Sequence, residues 1–345
     1  MKAVSALGIM LVATFGASVA QADESGISYW VPGRFGSLAA VPTAPGWSLG
    51  AIYYHTSVEA SGAAAAAREI QVGRFAPNVN VSLNVNLSAP PDLVFLAPTY
   101  TFATPVLGGQ LAMGVIGVFG RNSTTLDGTL TAGFGPFAVT RTGSISDSLV
   151  GFGDLYPMVT LKWNDGVHNY MTYATGDIPV GAYDPSRLSN IGIGHGAIDA
   201  GGGYTYLNPV TGHELSAVAG FTYNFKNPAT QVQSGVDFHF DWGASKFLSK
   251  QVFVGLVGYA YQQITDDQGG SPILGGFRSR VLGIGPQAGY IFPMGDGLQG
   301  YLNLKGYGEF DAANRPSGWN TWLTFAISAA PPASTATPSR PRVTK

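Results

Sequence analysis

Residues 78–88 read NVNVSLNVNLS, an alternation of apolar and polar side chains almost without fault. In an extended chain Val79, Val81, Leu83, Val85 and Leu87 share one side, and Asn80, Ser82, Asn84 and Asn86 share the other. Asn is a poor strand former, so a row of it needs surroundings that favour an uncharged hydrogen-bonding side chain. The same period of two recurs along the chain. Phe238, Phe240 and Trp242 oppose Asp237, His239 and Asp241, while Leu302, Leu304 and Phe310 oppose Asn303, Lys305 and Glu309. Val159, Leu161 and Trp163 stand against Thr160 and Lys162, and Phe221, Tyr223 and Phe225 against Thr222 and Asn224.

A soluble β-sandwich alternates too, with its apolar face inward and a wet face usually rich in Lys and Glu. Charged residues make up only 11% of this chain, less than half the roughly 25% of soluble domains. No apolar stretch after the N-terminus approaches the roughly 18–20 residues of a spanning helix. A barrel in lipid fits both facts, because its apolar rows face outward and its polar rows face an aqueous lumen. Closure also pairs every backbone N–H and C=O, each costing several kcal/mol if left bare in hydrocarbon. The expected fold is all-β, an antiparallel up-and-down transmembrane β-barrel of about 12–14 strands. Asn80, Asn84, Asn86, Lys162, Asp237, His239, Asp241, Asn303, Lys305 and Glu309 are its expected lumen-lining residues.

The chain opens as an exported protein. Lys2 supplies a positive n-region, residues 6–20 an apolar h-region, and Ala20-Gln21-Ala22 a small-x-small cleavage site. This predicts a signal peptide over 1–22, a Pro/Gly-rich segment over 23–46, a barrel over 47–328 and a disordered Pro-rich tail over 329–345. The 23–46 segment could be a periplasmic lead-in or a plug folded into the lumen. No Cys is present, so no disulfide holds the fold, and a net charge of −2 offers no basic surface for nucleic acid.

Short, turn-rich connections are expected at APPD (89–92), NDG (164–166), NPVTGH (208–213) and MGDGL (294–298). Two longer ones, 177–196 and 265–279, should leave from the same rim, as the outer loops of such barrels do. Trp163, Trp242 and Trp322 near strand ends suit an interfacial aromatic girdle.

GFGDLYP (151–157), TGDIPVGAYDP (175–185), HGAIDAGGGYTYLNPVTGHE (195–214), GFTYNFKNP (220–228), DWGASKFLS (241–249) and QGYLNLKGYGEFDAANRPSGWNTWLT (299–324) carry a family resemblance. The chain resembles the outer-membrane proteins associated with the meta-cleavage pathway of phenol degradation and, more distantly, the long-chain fatty-acid channels. The resemblance implies a channel in the Gram-negative outer membrane for passive uptake of small aromatic or hydrophobic compounds. The partners implied are small-molecule solutes, outer-membrane lipid and the barrel assembly machinery; the oligomeric state is left open. An internal assembly signal ending near Phe325 is expected, because a tail follows the last strand-like stretch. The alternation alone favours hydrophilic solutes, and the resemblance is preferred for the substrate. The alternative is a non-transporting structural or adhesin-like exported β-protein.

Three groupings could carry chemistry. Asp237, His239 and Asp241 recur at about 6.6 Å along a strand, close enough for two to share a metal with outside help; a hydrated lumen wall is the preferred reading. Lys162, Lys305 and Glu309 could instead polarise a pore. Asp177, Tyr183, Asp184, Arg187 and His195 make the 177–196 loop the candidate gate or entrance, with Arg187 paired to Asp184 or Asp177 if the loop is only a cap. GGGYTY (201–206) lacks the Lys-Ser/Thr that a P-loop needs, and neither catalysis nor a cofactor is expected.

Overall fold

The computed structural model describes residues 28–61, 80–134, 137–269 and 278–330. The expected signal peptide, the tail beyond residue 330 and part of the 265–279 connection lie outside the described residues. The strands are β1 (Gly46–Ser61), β2 (Asn80–Ala89), β3 (Asp92–Thr101), β4 (Gln110–Phe134), β5 (Phe137–Asp165), β6 (His168–Asp177) and β7 (Ala197–Asn208). They continue as β8 (His213–Asn224), β9 (Asp237–Phe247), β10 (Val252–Gln263), β11 (Arg280–Gly295), β12 (Leu298–Ala313) and β13 (Ser317–Ala329). From β3 onward each pairs antiparallel with the next, and β13 returns to β1 from Leu49↔Ile327 to Glu59↔Ser317.

The result is a closed antiparallel barrel of 12 strands, because β2 and β3 are two halves of one. On β1 the register runs from His55↔Asp92 to Val58↔Ala89 with no slip. On β4 it runs from Asp92↔Arg121 to Ser88↔Thr125, again with no slip. The APPD turn expected at 89–92 is therefore absent. Pro90 and Pro91 cannot donate, but unbroken strands on either side hold the extended line across them, and Pro91 still accepts from Thr56 N (3.3 Å). The other three expected turns fall between β5 and β6, β7 and β8, and β11 and β12. The long connections 178–196 and 264–279 leave from the opposite rim.

The wall is apolar outside and polar inside. On β12 Leu302 and Leu304 are exposed while Asn303 and Lys305 are buried, and on β8 Phe221 and Tyr223 are exposed while Thr222 and Asn224 are buried. Lys or Arg facing lipid at mid-depth costs about 2–4 kcal/mol, which is reason enough for both barrel lysines of the interior to point away from it.

Two expectations change here. Trp322 is not part of an outer girdle: it is 3% exposed, packed between Tyr54 and Phe95 on the inside. It shares the inward face of β13 with Asn320, to whose Oδ1 its Nε1 donates (3.1 Å), while Trp319 and Trp47 are exposed. Leu87, expected among the lipid-facing residues, is also buried, in step with Leu93 and Phe95 across the proline pair. The side chains of Asn80, Asn84 and Asn86 are outside the described ones.

Candidate functional site in the barrel lumen

Residues 28–45 carry no helix or strand and run through the interior. They start beside Thr175 near the long-connection rim, to which Tyr29 Oη donates (2.8 Å), and end at Thr43 against Gln110 and Thr101 at the other rim. An irregular backbone at this depth needs partners for its N–H and C=O groups. The inward side chains provide them.

Asp241 accepts from Gly33 N (2.9 Å) and Phe35 N (3.4 Å). Lys305 Nζ donates to the Gly33 and Phe35 carbonyls (2.6 and 3.3 Å) and stands 5.1 Å over the Trp322 ring. Glu214 accepts from Leu38 N (2.9 Å) and Ser37 Oγ (2.6 Å), and Thr205 Oγ1 from Ala40 N (3.1 Å). Lys162 donates to the Val41 carbonyl (3.2 Å). Gly33 has φ +89 and lies against Tyr307 and Trp322, where the left-handed backbone and the close rings both favour glycine.

The upper part of the segment is held by aromatic packing. Trp30 is 1% exposed and stacks on His239, and Phe35 and Tyr173 pack around it. His239 Nε2 donates to Asp199 Oδ2 (2.8 Å), which also accepts from Thr222 Oγ1 (2.5 Å). Asp237, His239 and Asp241 all point inward as their alternation predicts, yet each goes to a different partner: Asn224, Asp199 and the Gly33 amide. Among the described residues no group of three metal-binding side chains is brought together. Lys305 lies within the same interior, and Glu309 accepts from Tyr259 Oη (2.7 Å) and Gly318 N (2.9 Å). Lys162 and Lys305 thus grip a polypeptide rather than facing open water. Asn303 is buried and donates to the Ala288 carbonyl (3.1 Å).

The 178–196 connection folds against the upper edge of β5, which extends beyond its pairing with β6. Asp154 on β5 is 1% exposed and accepts from Gly181 N and Ile193 N, both at 2.7 Å, so one carboxylate fastens two points of the connection. Arg187 does not pair with Asp184 or Asp177. It meets Asp147, 40 positions earlier on β5, through Nε (3.1 Å) and Nη2 (2.7 Å), and Nη2 also reaches the Ser148 carbonyl (2.9 Å). This forked bond raises the Arg187 pKa above its ordinary value. Asp184 is occupied locally, accepting from the hydroxyl and amide of Ser186, and these bonds hold its pKa below the ordinary carboxylate value. Tyr183 Oη accepts from Asn227 Nδ2 (2.9 Å) on the next connection. His195 is buried with Nδ1 3.0 Å from the Gly196 carbonyl, and Asp177 is buried with no hydrogen-bond partner among the described residues for either carboxylate oxygen. The five loop residues are therefore spread over separate contacts and form no single cluster.

Between the lumen segment, this connection and the β3–β5 wall lies a narrow cleft. Val31, Leu93, Phe95, Val118, Ile191 and Ile193 give it an apolar lining, and Ser28, Asn122, Tyr156 and Asn190 add polar atoms. The sequence reading missed Trp30, Asp154, Asp199, Glu214 and Asn122. Inward parity on the β-strands marks Asp199, Glu214 and Asn122, but no local pattern says what each would hold.

The barrel is similar to the COG4313 outer membrane channel from Pseudomonas putida F1, with a TM-score of 0.61 and 13% identity over 87% of this chain and 100% of that one. A FadL homologue from Pseudomonas aeruginosa matches at a TM-score of 0.39 and 9% identity over 90% of this chain and 98% of that one. No curated protein matches in sequence. Residues 92–325 match the family described as "Putative MetA-pathway of phenol degradation". That span covers more than half of the chain, and the protein belongs to this family.

Proposed function

We propose that this barrel is an outer-membrane channel for passive uptake of small hydrophobic, chiefly aromatic, compounds, with residues 28–45 as its resident plug. The observation that carries the reading is what occupies the lumen. Asp241, Glu214, Lys162 and Lys305 spend their hydrogen bonds on the 28–45 backbone, leaving little of the polar wall free for a hydrophilic solute. The apolar cleft beside it is the kind of surface that captures a greasy molecule, with a few polar groups to orient it. Family membership and the barrel shared with an outer membrane channel support the same reading. Transport needs no energy source of its own: solute enters near the 178–196 connection, and partial unseating of the plug lets it descend.

Purified barrel in lipid vesicles tests this. Monoaromatic uptake should be accelerated over empty vesicles while sugars of similar size are not. Equal acceleration of sugars, or none of either, would reject it. Correct assembly is checked by the shifted mobility of unheated barrel on a gel.

A further inference from the structure

The cleft beside the plug contains one unmet acceptor. Asn122, 4% exposed on β4, gives its amide Nδ2 to the Asn190 carbonyl at 2.9 Å. A carbonyl accepts only, so that bond fixes which end of the amide is nitrogen and turns Oδ1 the other way. Among the described residues no donor reaches Asn122 Oδ1. Tyr156 adds a hydroxyl to the lining, while Ser28 and Asn190 are engaged within the chain. Ser28 Oγ donates to the Trp30 carbonyl (2.7 Å), and the Asn190 amide is closed on Asp184, accepting its N–H (2.9 Å) and donating to its carbonyl (3.0 Å).

A buried acceptor without a partner is costly, and its cost is relieved by anything that brings a donor while covering the apolar surface around it. Here that surface is Leu93, Phe95, Val118, Ile191 and Ile193. We infer that Asn122 is the specificity-determining residue of the cleft: it selects apolar molecules bearing a hydroxyl or amine, which donate to Oδ1 while the hydrocarbon part lies against those five side chains. The inference rests on the channel reading for its biological sense, but the binding itself does not. The cleft is narrow, and seating a ring requires Ile191 and Ile193 to shift with the connection that carries them. An ether of the same skeleton offers only acceptors and leaves Asn122 Oδ1 unmet, so discrimination is built on the donor and not on size.

Equilibrium binding to the detergent-solubilised full chain, with phenol and anisole as probes, tests this apart from transport. Replacing Asn122 with Leu (Asn122→Leu) should weaken phenol binding about tenfold, the worth of one hydrogen bond to a buried group. Anisole affinity should stay the same or improve. Should the variant disturb the connection instead, both affinities would fall together, and that result overturns the inference. So does an unchanged phenol affinity, or a wild-type protein that binds neither probe. Anisole uptake into vesicles separates the two claims: equal uptake by wild type and variant with no difference in phenol binding sinks the role of Asn122 and leaves the channel standing.

Discussion

Trp30 lies flat on the imidazole of His239, with ring centroids 3.5 Å apart and planes 11° from parallel. One ring belongs to a segment without secondary structure and the other to the barrel wall, so this stack is one of the aromatic contacts that fasten plug to wall, with Phe35–Tyr173 and Tyr29–Tyr156. Replacing Trp30 with Ala removes a fully buried indole, a loss of roughly 3–5 kcal/mol in well-packed interiors. Because that energy seats the plug and not the hydrogen-bonded wall, Trp30→Ala should keep its heat-modifiable gel shift and show larger, more frequent current steps in planar bilayers. Currents identical to wild type would mean that the stack does not control the lumen.

Lys305 and Asp241 clamp the same turn of the plug from opposite charges, one on the Gly33 carbonyl and the other on the Gly33 amide. Removing one member of such a buried set strands the other, at a cost of about 3–5 kcal/mol, whereas neutralising both leaves no stranded charge. Lys305→Met should therefore lower the temperature at which the folded gel band is lost by more than Lys305→Met/Asp241→Asn does. A double variant less stable than the single would contradict the clamp.

Gly243 on β9 faces the plug backbone at close range: a Cβ there would lie 2.8 Å from both Ser37 N and Ser37 Oγ. A larger side chain at this position must push residues 36 and 37 away while leaving the ladder of β9 intact. Gly243→Leu should assemble as a barrel and conduct more than wild type. Protease added after purification should also cut within 28–45 faster. Failure of either readout to change would show that the plug accommodates the side chain without moving.

Arg187 and Asp147 tie the 178–196 connection to the upper edge of β5, where Asp147 also accepts from Ser189 N (3.1 Å). Arg187→Ala should speed hydrogen exchange of the Ser189 amide and leave exchange along β6 and β7 unchanged. Asp147→Asn should act in the same direction and at least as strongly, since it touches both the Arg187 pair and the acceptor of Ser189 N, and the double variant should add little to Asp147→Asn alone. Additive effects would place the two side chains in separate interactions.

Heat modifiability is expected of the wild type itself. Unheated protein extracted from membranes should migrate differently from boiled protein, because a closed ladder of backbone hydrogen bonds resists detergent until the sheet is opened. One band under both conditions would remove the basis of every expectation above.

The alternation of Leu302, Asn303, Leu304 and Lys305 was enough to assign each side chain to lipid or lumen, because a period of two is a local property of an extended chain. The same rule placed Asp237, His239 and Asp241 inside. Strand number, the partners of those inward groups and the course of residues 28–45 were decided only by the closed sheet. Pro90-Pro91 has the composition of a turn, yet two intact neighbouring strands keep it extended; Trp322 has the composition of a girdle residue, yet its register points it at Lys305. Arg187 finds Asp147 and not its near neighbours, since a connection folded across a strand edge meets residues far away in sequence. Local physics makes neighbouring strand residues point opposite ways; which row faces inward, as at Leu87, and what it then touches depend on the closed sheet and the distant segment it encloses.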